Sequence, residues 1–374
     1  MHAPRARAHI CFVAPHAWPV LSGDPDIAEV GGAEVQQSML ARLLASNGYR
    51  VSMLCLDYGQ PDKALVQGVT VFKTFSPDSG MPVLRFLHPR LTATWRAMRA
   101  ADADVYYCRA ASMWVAVVAE FCRRYGKRSI YAGASNMDFV PGEGGQIRYA
   151  RDRWLYRRGL ARVDRIVAQN EAQRAGCRDA YGRDAMVIAS CYEPASAVAA
   201  GQPRDAVLWV STIRTGKRPE RFLELAARLP HRRFVMVGGP GQGEGEGELY
   251  ERMQREAAKL GNVELTGFLP LAQVERWLDR ARVLVNTSDY EGMPNTFLQA
   301  WSRGVPTAAT VEVEAPVHRR FQGVEDGARQ IEALFEDPQL WAGVSRQCLE
   351  HFRRTHSSAQ VLERYGHLIA ELAA

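Results

Sequence analysis

Glu291 heads the stretch Glu-Gly-Met-Pro-Asn-Thr-Phe-Leu-Gln-Ala-Trp, residues 291–301, in which a carboxylate precedes a turn and an amphipathic run. Residues 282–290, Arg-Val-Leu-Val-Asn-Thr-Ser-Asp-Tyr, read as a strand leaving the core through polar residues. Pro294 suits the first turn of a helix and Gly304 its end. Glu291 therefore stands at the carboxyl edge of a strand, beside a helix N-terminus formed by residues 293–296. Open α/β sheets bind ligands at that edge, and helix N-termini favour anions. Either Glu291 serves such a ligand or it caps its own helix.

Other constellations are weaker. Asp102-Ala103-Asp104 has the spacing of a metal-binding pair, but it precedes a strand and reads as a solvated turn. The run 238–248, Gly-Gly-Pro-Gly-Gln-Gly-Glu-Gly-Glu-Gly-Glu, has glycines at nucleotide-binding spacing with no packing residue behind them, and reads as a flexible insertion. Residues 148–162 form an arginine-rich helix with Trp154, Leu155 and Tyr156 interleaved: a solvated amphipathic helix, with a membrane-surface patch as the alternative. Cys11, Cys55, Cys108, Cys122, Cys177, Cys191 and Cys348 contain no CxxC pair. They indicate neither zinc nor a disulfide framework and fit a reducing compartment.

The elements that position these residues follow from periodicity. Short apolar runs at 10–14, 51–55, 69–72, 105–107, 128–132, 165–169 and 186–188 read as buried strands, with helical segments between them. In one such segment Val35, Met39, Leu40, Leu43 and Leu44 share a helical face, and Gly48 falls where a left-handed cap is wanted. Residues 193–205, rich in Ala, Pro and Gly, read as a linker. Strands then resume at 206–210, 233–237, 262–265, 282–285 and 306–310. Strands alternating with helices predict parallel sheets covered on both faces. The fold class is α/β, with two doubly wound Rossmann-like domains facing a central cleft, and a length of 374 residues accommodates both.

Composition is that of a globular protein, 47% hydrophobic and 24% charged. The net charge of +6 favours anionic ligands or an anionic membrane surface. Lysines number only five among the 47 basic residues, an arginine bias read as genomic habit, and no nucleic-acid partner is expected. The basic N-terminus runs into an apolar stretch too short for a signal peptide, and nothing approaches the roughly 20 apolar residues of a membrane span. A cytoplasmic location is expected, with peripheral attachment at the inner face of the membrane through 148–162 as an option.

The Glu291 stretch resembles the signature of retaining glycosyltransferases of the GT-B fold, especially family 4 (group 1). In that family two glutamates with seven residues between them bracket the donor nucleotide sugar; here the first is Glu291 and the second position holds Gln299. An amide still accepts one hydrogen bond and donates another. The resemblance implies that Glu291 meets sugar hydroxyls, that Gln299 meets the ribose, and that Met293, Pro294, Asn295 and Thr296 line the donor site. Residues 31–54 resemble the family's first glycine-rich turn and helix, which gives Gly31 and Gly32 the approach to the donor phosphate; a plain tight turn is the alternative. Residues 210–226 resemble the segment that clamps the diphosphate, implying Lys217 and Arg214, with Thr212 where the family's Arg often stands. Residues 267–278 resemble the loop receiving the nucleobase, through Gly267, Phe268 and Leu269, although Phe268 equally suits a core. The family's histidine after the fifth strand has no counterpart in residues 131–140, where Asn136 and Asp138 are the polar residues, and the segment 305–328 is shortened.

The resemblance implies residues 1–200 as the acceptor domain, with the helix at about 357–374 packing back on it, and 201–356 as the donor domain. It implies transfer of a hexosyl unit, with retention, from a nucleotide diphosphate sugar to a glycan or lipid-linked acceptor, without metal or other cofactor. The competing readings are a nicotinamide oxidoreductase, which lacks its glycine fingerprint here, a nucleotide-sugar epimerase, and a non-catalytic nucleotide- or glycan-binding protein.

Overall fold

The computed structural model describes residues 7–23, 31–80, 86–140, 147, 149–194, 201–241 and 243–373. The chain forms two compact units, Met1–Cys191 with Ser358–Ala374, and Tyr192–Ser357. Within the expected linker, residues 195–200 lie outside the described residues; Arg204, by contrast, donates to Ala281 O and Arg303 O and belongs to the second unit.

The first unit holds an eight-stranded sheet in the order β3-β4-β2-β1-β5-β6-β7-β8. Its strands are β1 His9–Val13, β2 Arg50–Cys55, β3 Ala64–Val66, β4 Val69–Lys73, β5 Val105–Arg109, β6 Arg128–Ala132, β7 Arg165–Ala168 and β8 Met186–Val187. Every pairing is parallel except β3 with β4. Helices α1 Trp18–Ser22, α2 Gly32–Ser46, α3 Thr92–Ala101, α4 Trp114–Tyr125, α5 Ala150–Leu160 and α6 Glu171–Tyr181 connect them. The C-terminal helix Ser358–Ala373 buries Val361, Tyr365, Leu368, Ile369 and Leu372, one stripe at helical spacing, in the core shared by α2, β1 and β2.

Two details differ from the sequence reading. The short edge strand β3, partly exposed along its length, escaped notice because its three residues have no buried face to set a pattern. On α2 the buried face is rotated: Gln36, Gln37, Leu40, Ala41 and Leu44 are buried, while Val35, Met39 and Leu43 are only partly so. The Gln36 amide donates to Cys191 O at 2.8 Å and accepts from Cys191 N at 3.1 Å. A polar side chain thus enters the core because it satisfies a backbone amide there. Gly48 is left-handed, φ +82°, as its position after α2 requires.

The second unit holds a fully parallel six-stranded sheet, β11-β10-β9-β12-β13-β14. Its strands are β9 Ala206–Val210, β10 Arg233–Val237, β11 Val263–Gly267, β12 Ala281–Asn286, β13 Thr307–Ala309 and β14 His318–Arg320. The last, His-Arg-Arg, carries no apolar residue to reveal it. Helices α7 Pro219–Arg228, α8 Glu246–Lys259, α9 Leu271–Arg280, α10 Asn295–Ser302, α11 Gly323–Glu336 and α12 Pro338–Thr355 complete the unit. Both sheets are doubly wound. Strand order reverses between β1 and β5 in the first unit and between β9 and β12 in the second, and each reversal opens a crevice at the carboxyl ends.

Candidate functional site

In the second unit the loops after β9 and β12 leave neighbouring strands in opposite directions, so Ser211–Arg218 and Thr287–Pro294 meet at the reversal point. There Lys217 Nζ lies 2.5 Å from Glu291 Oε1, both side chains largely buried. Asn286 Nδ2 and Ser288 Oγ donate to the same oxygen at 3.2 and 2.7 Å. Asn286 is itself fixed, since its Oδ1 accepts Ser288 N. Among the described residues nothing donates to Glu291 Oε2. The carboxylate is thus held by one oxygen and leaves the other open. It does not cap α10, whose N-cap position is Pro294.

The lysine turn is clamped from below. Thr287 Oγ1 donates to Lys217 O at 2.9 Å while accepting from Trp209 Nε1, and Asp289 N donates to Gly216 O. Asp289 also takes Arg218 Nε at 2.6 Å and Arg221 at 3.1 Å. Arg218 sits at φ +47°, strained for a residue with a side chain, and the Asp289 bond helps to impose that backbone. Asn286, Ser288, Asp289 and Arg218 were missed at the sequence level. The only signal was the polar exit from the strand, which says that residues are exposed without saying to what.

The remaining expected residues are placed as follows. Arg214 is exposed three residues before Lys217, whose N–H donates to Arg214 O, and its guanidinium has no partner among the described residues. Met293 and Pro294 are buried beneath the start of α10, and Asn295 and Thr296 are partly exposed in its first turn. Phe268 is 53% exposed and so is no core residue; its ring lies over Gly239, where a Cβ would approach to 2.3 Å.

The glycine-rich run is not a loose insertion in its described part. A Cβ at Gly238 would sit 1.7 Å from Ser211 O, and Glu246, already the first residue of α8, accepts Thr215 N at 3.1 Å. Glycine is needed where β10 passes under the lysine loop, a close approach that composition alone could not reveal. Gln242 lies outside the described residues.

Gln299 turns toward Tyr192, whose hydroxyl donates to Glu275 at 2.5 Å. Burial pushes the Tyr192 phenol up, and its bond to Glu275 adds to the effect. Glu275 and Asp279 are both joined to Arg303 at 3.0 Å, all three buried. Such a cluster is costly to disrupt, because removing one member leaves an uncompensated charge. A glutamate at 299 would add a third carboxylate beside this group; the amide adds none.

In the first unit Gly31 precedes α2 and Gly32 opens it, both exposed. A Cβ at Gly31 would meet Glu34 Oε2 at 2.0 Å, so a carboxylate already folds over that helix start. Asp138 spends its carboxylate on Ala134 N, Ser135 N and the Tyr131 hydroxyl, and burial holds its pKa up. It is a turn-capping residue. Asn136 Oδ1 accepts Gln173 Nε2. Asp102 pairs with Lys127, and Asp104 accepts His9 N, at the amino ends of β5 and β1. No group of described residues has the makeup of a metal site.

Residues 204–350 match the family model for group 1 glycosyl transferases, and residues 30–192 match that for glycosyltransferase family 4. A 99-residue stretch, 25% of the chain, is 34% identical to the Vi polysaccharide biosynthesis protein VipC/TviE of Salmonella typhi. A 186-residue stretch, 45% of the chain, is 31% identical to a D-inositol 3-phosphate glycosyltransferase of Mycobacteroides abscessus. These matches span 16% and 40% of the two relatives' own lengths. Among solved structures, HepE of Anabaena in complex with UDP superimposes with a TM-score of 0.74 at 15% identity, covering 97% of this chain and all of that one.

Proposed function

Given that the chain belongs with the group 1, family 4-like glycosyltransferases of GT-B fold, we propose that it moves a hexosyl unit from a nucleotide diphosphate sugar to a glycan or lipid-linked acceptor. The observation that carries the reading is the Lys217–Glu291 pair at the strand reversal of the second unit. When the donor binds, Lys217 neutralises the diphosphate as its charge develops, assisted by Arg214 and the N-terminus of α10. The free oxygen of Glu291 accepts the sugar hydroxyls and orients the ring. Phe268 flanks the base, and Met293 to Thr296 with Gln299 complete the donor wall. Attack from the leaving-group face gives retention without a covalent enzyme intermediate, and no metal takes part.

UDP bound to HepE and the Vi polysaccharide relative support a nucleotide-sugar donor and a polysaccharide acceptor. Attachment to an anionic membrane is supported by α5, where Trp154 is 58% exposed and Arg158 lies 5.4 Å over its ring. No helix of the described residues is long and apolar enough to cross a membrane.

A thermal-shift panel of nucleotide diphosphate sugars tests the donor reading, since a ligand of the folded state alone raises the melting temperature. One base and sugar should stabilise the protein, and turnover of that donor should survive EDTA. A flat panel would remove the transferase reading; stabilisation without turnover on any acceptor would leave a binding protein.

A further inference from the structure

The reversal point of the first sheet holds a cation that forms no ion pair with any carboxylate of the described residues. Arg109 is the last residue of β5, which pairs with β1 at the reversal. Its side chain is partly buried. Its NH1 donates to the Tyr107 hydroxyl at 3.4 Å and its NH2 to Ser190 Oγ at 3.2 Å, while Nε is buried without a partner. No carboxylate among the described residues forms an ion pair with it. Asp138, whose field reaches it, is committed to its own turn.

Its hydrogen-bond partners are neutral. Ser190 Oγ also accepts Gln169 Nε2, Gln169 exchanges hydrogen bonds with Gln173, and Gln173 reaches Asn136. This chain of amides and hydroxyls runs along the carboxyl ends of β7 and β8 and the turn after β6. Ala110, immediately after the arginine, is held at φ +68°, a left-handed conformation that alanine adopts only when its surroundings enforce it. Buried charges are ordinarily paired. One set among neutral groups in a ligand crevice is complementary to an anion arriving from outside.

We propose that Arg109 binds the carboxylate or phosphate of a charged glycosyl acceptor, with the Ser190–Gln169–Gln173–Asn136 chain fixing the walls behind it. The word acceptor rests on the transferase reading above; anion binding at Arg109 does not.

The test uses the full chain saturated with UDP, so that the Lys217 region is occupied. Methyl glucuronide, inorganic phosphate and the neutral methyl glucoside are each titrated into wild type, Arg109→Gln and Arg109→Lys, by calorimetry. Wild type should bind glucuronide, phosphate or both at least about tenfold more tightly than glucoside. Arg109→Gln should lose that preference, and Arg109→Lys should keep part of it, with UDP affinity unchanged in both. Binding of glucuronide alone would identify a uronic-acid acceptor, and of phosphate alone a phosphorylated one. Equal anion binding in wild type and Arg109→Gln would overturn the proposal, as would no preference for anion over glucoside. Should Arg109→Gln fail to fold, Arg109→Lys decides by itself: anion affinity identical to wild type would count against a fork-shaped arginine contact. Failure of wild type to bind UDP or any other nucleotide would bear on the transferase reading instead.

Discussion

At the strand reversal of the second unit a lysine and a glutamate face each other at 2.5 Å; at that of the first, an arginine donates to two hydroxyls and forms no ion pair among the described residues. The two crevices arise from the same topology and are furnished oppositely. Lys217 and Glu291 neutralise one another, so that edge is settled before a ligand arrives, and a diphosphate competes with a carboxylate already in place. Arg109 has no such rival. The second edge can sort ligands by how well they replace an existing pair, the first by whether they carry negative charge at all.

The sharpest way to break this contrast is to remove one member of the pair. Lys217→Ala should lower the transfer rate by about 100- to 1000-fold, the usual loss for a transition-state charge partner, with the circular-dichroism spectrum unchanged. Glu291→Ala should be similarly damaging, and a rate near wild type in either variant would withdraw that residue from the site.

Acid should act on the framework of the first unit rather than on its edge. His9 opens β1 at the opposite end from the crevice, and burial lowers its pKa from 6.5 to about 4. The unfolded state therefore binds the proton more readily. Stability is complete above pH 6.5 and falls as pH drops from 6.5 toward 4, by up to about 3 kcal/mol from this group. Denaturant titrations across that range should show the slope, and His9→Gln should flatten it; an unchanged slope would show that other groups control the acid response.

Asp289 sharpens the comparison because it belongs to the pair's support. Asp289→Asn keeps the shape but loses the charge that holds Arg218 and Arg221, and should cost about tenfold in kcat/KM by loosening the Lys217 turn. The loss should appear in kcat more than in nucleotide affinity; the reverse split would make Asp289 a binding residue. The smallest effect belongs to Phe268→Ala, which should weaken binding of the nucleotide picked out by the thermal-shift panel by a few-fold to about tenfold while leaving the fold intact, since the ring is exposed. Unaltered affinity would place the base elsewhere.

Much of the frame was legible from residue order. Arg128–Ala132, Ala206–Val210 and Arg233–Val237 lie where apolar runs between helical segments placed them, because strands buried on both faces of a parallel sheet need such runs. Edge strands β3 and β14 were not legible, since strands buried on neither face leave no hydrophobic trace. The rotated face of α2 was hidden for a related reason: Gln36 is buried through a backbone partner 155 residues away.

Local sequence determined that Glu291 would follow a strand and precede a helix, because strand, turn and helix signals act over a few residues. It also determined that the chain would wind two parallel sheets. Only the tertiary structure decided that Glu291 would meet Lys217, 74 residues earlier, and that Asp289 would brace the turn between them. The same holds for Arg109, whose hydroxyl partners, with no ion pair among the described residues, are a property of the elements packed around it. Pairing of charges depends on which strand ends become neighbours, and strand order is a long-range property of the fold.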